Sequence, residues 1–147
     1  LECLGAAQAS VDETWAYVQE RRAFGAPLAQ YQGVSFPLAE AETQLTMMRQ
    51  LCYYTLNLRD QSLPHTSEAA MCKWYLPKTC CEIIHQCLIL HGHYGYTTDL
   101  PHHQRYNDVL GLQIGDGTAQ IQKLVIAREK VGRVALQYDK KSQGAAK

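Results

Sequence analysis

The chain has 147 residues, 14 basic and 14 acidic side chains and no basic run, which fits one domain with a core of its own and argues against nucleic-acid or membrane-surface partners. Its longest apolar stretches are broken by His, Lys or Glu well short of a membrane span. There is no signal-peptide pattern, and the sequence begins at Leu1 in mid-pattern, which reads as a fragment.

Helical spacing dominates from the first residue. Leu1, Leu4, Ala7, Val11, Trp15 and Val18 recur at three and four residues, predicting an amphipathic helix that ends near Arg21. The stretch Ala23–Leu28 breaks it, because Gly25 and Pro27 lie two apart. A second helix is expected from about Gln32 to Asp60, with Pro37 tolerated near its first turn and a buried face of Leu38, Leu45, Met48, Leu51 and Leu58.

Ser62–Ser67 reads as a loop in which Thr66 or Ser67 caps a third helix reaching about His91, with a kink or rearrangement at Pro77. Gly92–Gly95 is a turn, and a short helix spans Pro101 to about Leu110. After Gly115–Thr118 a last helix runs from Ala119 to near Tyr138, capped by Thr118, with Ile121, Leu124, Val125, Val131 and Val134 as its apolar set. No strand alternation persists. The expected fold is all-α: an antiparallel four-helix bundle with one extra short helix over residues 1–141, followed by a frayed tail over 142–147.

Six cysteines (Cys3, Cys52, Cys72, Cys80, Cys81, Cys87) lie in apolar helical stretches without a CxxC pair, as expected of reduced, buried thiols. Asp116 stands between two glycines ahead of a helix N-terminus. That pattern suits either a base or phosphate-approach loop or an ordinary capping turn. Glu82 and His85 form one ExxH pair, but a di-metal bundle needs a second and none exists, so no metal site is expected. His91, His93, His102 and His103 read as polar loop histidines, because no Cys or acidic partner sits at a ligand spacing.

The segments taken together resemble the C-terminal helical domain of the acyl-CoA dehydrogenase family. The resemblance starts at Leu4-Gly5-Ala6-Ala7-Gln8-Ala9 and sharpens at Glu20-Arg21-Arg22-Ala23-Phe24-Gly25-Ala26-Pro27-Leu28 with Gln32 following. It continues through Leu38-Ala39-Glu40, Glu68–Lys73 and Gly92–Tyr96, and closes on Gly117–Lys123 and Ile126–Glu129. The collinear match covers about 120 residues.

The resemblance implies oxidation of an acyl-CoA to its trans-2-enoyl-CoA, with FAD accepting the hydride. It implies that Asp116 is the catalytic base, at a position where short- and medium-chain members carry Glu. Arg21 then approaches the FAD pyrophosphate, Phe24, Gln32, Thr118 and Gln120 also contact the cofactor, and Gly117 adjoins the substrate. Implied partners are acyl-CoA, an electron-transfer flavoprotein or other acceptor, and further copies in a homodimer or homotetramer. The implied location is cytoplasmic, or the mitochondrial matrix in a eukaryote.

Departures from the family pattern are Asp116 itself, Gly115 in place of a common Tyr, Ile89, His93 and Asn107. Related flavoenzymes acting on cyclic acyl-CoAs or nitroalkanes use an Asp base, so that chemistry is an alternative. A bundle serving only oligomerisation is another. The isolated domain is expected to be inactive, to bind little FAD and to self-associate.

Overall fold

The computed structural model describes residues 1–137. Its long helices are α1 (Glu2–Glu20), α2 (Gln32–Asp60), α3 (Thr66–Leu90) and α6 (Ala119–Val131). Between α3 and α6 lie the single turn α4 (His93–Tyr96) and the short helix α5 (His102–Gly111). This is the helical bundle expected from the sequence.

α3 is the central element, packing against α1, α2, α5 and α6. Its sequence explains why. Leu76, Pro77, Thr79, Cys80, Cys81, Ile83, Ile84 and Cys87 are all buried, so the apolar surface wraps well beyond one stripe. α1 and α2 each present a narrower seam to it. In α1 the seam is Cys3, Leu4, Ala7, Val11 and Val18, and in α2 it is Leu38, Ala41, Leu45, Met48 and Cys52. Leu51 and Leu58, expected in the α2 seam, are half-buried. Ser10 and Thr14 are also buried in α1, where their hydroxyls donate to the carbonyls of Ala6 and Ser10.

Several local expectations are corrected. Arg22–Ala23 and Ala26–Pro27 pair as a minimal antiparallel hairpin, β1 and β2, with Phe24 and Gly25 at its tip at φ of 49° and 84°. Two residues a side are too short for alternation to register in the sequence. The N-cap of α3 is His65, with no side-chain cap bond, rather than Thr66 or Ser67. At Pro77, where a kink or rearrangement is expected, the chain stays within α3, and the proline withholds the N–H that the Lys73 carbonyl would have accepted. The Gly92–Gly95 turn winds into α4.

α6 stops at Val131 because Gly132 adopts φ 72°, and a short 3₁₀ turn, Gly132–Ala135, follows. The expected end at Tyr138 and the frayed tail over 142–147 lie outside the described residues. No described helix is long and apolar enough to cross a membrane.

Candidate active site

The α5–α6 connection carries the candidate base. Backbone N–H groups of Leu112, Gln113 and Ile114 donate to the carbonyls of Val109, Leu110 and Gly111, winding α5 down, and Gly115 N also bonds Gly111 O. The chain then turns through two left-handed residues, Asp116 at φ 55° and Gly117 at φ 99°. Asp is among the few residues that tolerate this region. Thr118 ends the turn as the N-cap of α6, its hydroxyl accepting from Ile121 N at 3.4 Å.

The Asp116 carboxylate is exposed and takes no hydrogen bond or ion pair from any described residue, so its lone pairs face outward uncommitted. At Gly117 an added Cβ would come within 2.8 Å of Gln122 Nε2. That amide is a movable side-chain end, so φ is the stronger demand for glycine here.

α3 grips the same connection. Lys73 Nζ donates to Leu112 O at 2.6 Å, and Gln113 Nε2 donates to Cys81 Sγ at 3.2 Å. Beyond the loop, the Lys123 ammonium stands 4.6 Å from the centre of the Trp74 ring. These contacts leave no mark in the sequence, because they join residues dozens of positions apart. Lys73 figured there only as one letter of a family motif.

A second group of candidates sits on different elements. Arg21 ends α1, Phe24 tips the hairpin and Gln32 opens α2. Tyr31 braces the hairpin by donating its hydroxyl to Ala23 O at 2.9 Å, and Arg22 donates to Gly25 O. Phe24 is 98% exposed, and the side chains of Arg21 and Gln32 have no polar partner among the described residues. Gln120, exposed in the first turn of α6, is equally uncommitted.

A free guanidinium at the end of α1 and a bare aromatic ring on the braced hairpin that follows suit a large anionic aromatic cofactor docking from outside. The hairpin group packs with α1 and α2, whereas Asp116, Gly117, Thr118 and Gln120 belong to the α5–α6 side carried by α3. No hydrogen bond, ion pair or ring contact joins the two groups within the described residues.

The histidines divide. His93 and His103 are exposed, though they sit in α4 and α5 rather than in loops, and His91 and His102 are buried. Tyr17 stacks on His91 with 4.3 Å between centroids, and His91 meets His102 at 4.6 Å. His91 Nδ1–H donates to Cys87 O, while neither ring nitrogen of the fully buried His102 finds a partner. Burial, reinforced by the neighbouring His91, pulls the His102 pKa down to about 4. Beside them Arg105 makes two 2.7 Å bonds to Glu13, holding that carboxyl below the usual range.

The ExxH pair is also committed elsewhere: Glu82 pairs with Lys78, and the His85 ring faces Tyr106. All six cysteines are free thiols. Five are buried and Cys72 is half-buried.

The chain belongs to the family described as "Acyl-CoA dehydrogenase, C-terminal domain", whose model matches residues 1–131. It is 39% identical over 126 residues to the mitochondrial short-chain specific acyl-CoA dehydrogenase of Rattus norvegicus, covering 86% of this chain and 31% of that protein. It is 36% identical over 126 residues to a 3-(aryl)acrylate reductase of Clostridium sporogenes, covering 86% of this chain and 33% of that protein.

A glutaryl-CoA dehydrogenase from Mycobacterium smegmatis, solved in complex with FADH2, superposes with a TM-score of 0.86 at 25% identity, covering 92% of this chain and 35% of that one. The chain therefore spans about a third of the length of these relatives.

Proposed function

We propose that the chain is the base-bearing domain of a flavin-dependent acyl-CoA dehydrogenase that oxidises acyl-CoA to trans-2-enoyl-CoA. The observation that carries this reading is the Asp116 carboxylate, held between two glycines in a left-handed turn at the head of α6 with no partner among the described residues. Asp116 removes the proton alpha to the thioester carbonyl, where carbonyl resonance makes the C–H acidic. Gly117 presents no side chain beside it, so the thioester can approach the backbone closely.

Arg21 would pair with the cofactor's pyrophosphate, and Phe24 would cover its apolar surface. Gln32, Thr118 and Gln120 supply polar contacts to the cofactor. FAD, when bound, supplies the two-electron acceptor for the hydrogen leaving the beta carbon. The hairpin group and the base stand on separate elements, which suits a homodimer or homotetramer in which the hairpin of one subunit serves the cofactor held by its neighbour. Electron-transfer flavoprotein is the proposed acceptor of the electrons, in the cytoplasm or, in a eukaryote, the mitochondrial matrix.

Asp116 itself favours a second substrate class. Its side chain is one methylene shorter than Glu, and a shift of ~1 Å in a reacting group costs much of the rate. A cyclic acyl-CoA or a nitroalkane is that alternative, because related flavoenzymes acting on them use an Asp base. Both readings are tested on the whole protein that contains this chain. Asp116→Asn is expected to slow reduction of bound flavin by at least about 100-fold with FAD content unchanged. A variant that reduces flavin as fast as its parent refutes the base. Profiling straight-chain, cyclic and nitroalkane substrates separates the two classes.

A further inference from the structure

Where α5 ends, a side chain takes over from the backbone donors. Val109, Leu110 and Gly111 each receive a backbone N–H, whereas the Leu112 carbonyl receives the Lys73 ammonium at 2.6 Å. Leu112 is the C-cap of α5, where the helix dipole concentrates negative charge, so a cation is the favoured donor. The next residue repeats the attachment through Gln113 and Cys81, and Cys81 lies two turns along α3 from Lys73. Past the loop, Lys123 on Trp74 provides a third anchor, again on α3. Asp116 and Gly117, in the left-handed region, lie between the anchors, and the Asp116 side chain has no partner among the described residues.

We infer that Lys73 is a positioning residue for the Asp116 loop. Its ammonium fixes Leu112, and the short wound segment to Gly115 transmits that position to the carboxylate. The inference rests on the reading of Asp116 as base for its catalytic consequence, but not for its structural one. An ordinary interhelical contact would alter global stability without altering the loop selectively, which makes the two roles separable.

The test uses Lys73→Met, which keeps the apolar stem, and Lys73→Arg, which keeps the charge. Lys78→Met on the same helix is the control; it is exposed and paired only with Glu82. Backbone amide exchange is followed in the 147-residue chain at Gln113, Ile114 and Gly115. Lys73→Met is expected to speed exchange there about tenfold and leave α1 and α2 unchanged. Lys73→Arg restores protection, and Lys78→Met does nothing. Unchanged exchange at these three amides overturns the inference, as does a uniform rise across the chain.

In the whole protein, Lys73→Met is expected to lower kcat about tenfold while KM stays within about twofold. A lower melting temperature with unaltered kcat overturns the positioning role. If Asp116→Asn kept full activity while the exchange result held, the base reading would fall and the tether would stand.

Discussion

At Gly95 the corner between α3 and α4 has no room for a side chain. An added Cβ would lie 2.1 Å from the Leu88 carbonyl oxygen and 2.9 Å from the His91 Cβ, and the first of these is backbone that cannot swing aside. Gly95→Ala is therefore expected to destabilise the domain by about 1–3 kcal/mol, read from the urea midpoint of the isolated chain. An unchanged midpoint would show that the corner relaxes. The sequence marked Gly95 only as part of a turn and of a family motif, because the clash depends on α4 folding back over the end of α3. Asp116 is the converse case. Its flanking glycines made the unusual turn legible, while its freedom from internal partners could be seen only in the folded chain.

Among the elements, the two ends of α2 and the Thr118 cap of α6 were legible because they depend on local chemistry: a Pro-Gly break, an apolar period and a capping hydroxyl. The burial of His91 and His102 was not, because docking of α5 against α1 and α3 brings them inside. That docking carries a pH dependence with a definite sign. The folded chain holds His102 neutral, with a pKa near 4 against an ordinary 6.5. The unfolded chain thus binds more protons between those values, and stability falls as pH drops from about 6.5 to 4.

Glu13 acts in the same sense at lower pH, because Arg105 depresses its pKa and the stabilisation it contributes disappears as it protonates. Titration of His102 contributes at most about 1.4 kcal/mol per pH unit. Replacing His102 by Phe, which keeps a ring against His91 beside the Glu13–Arg105 pair, is expected to flatten the urea-midpoint profile between pH 6.5 and 4.5. A profile as steep as that of the parent would place the acid sensitivity elsewhere.

Across the whole molecule, the apolar surface is divided unevenly. α3 is covered by its neighbours, yet Phe36, Met47 and Tyr54 recur along an outward face of α2, and Ile121, Leu124 and Val131 along α6. No residue of α6 is buried, although the sequence gives this helix a clear apolar set. Periodicity reports that a helix has an apolar face but does not say whether the covering surface belongs to the same chain. Contiguous exposed apolar stripes of this kind favour association. Sedimentation velocity of the isolated chain is expected to show mass rising with concentration, and a strictly monomeric profile over the same range would contradict the expectation that these faces drive self-association.

The central claim concerns one proton, and exchange of that proton tests it most directly. The whole protein is incubated in D2O with a CoA thioester that has an alpha C–H but cannot lose a beta hydrogen. Mass spectrometry is expected to find deuterium entering the alpha position with the parent and essentially none with Asp116→Asn at equal flavin content. Equal incorporation by both proteins would contradict the assignment of Asp116 as the base.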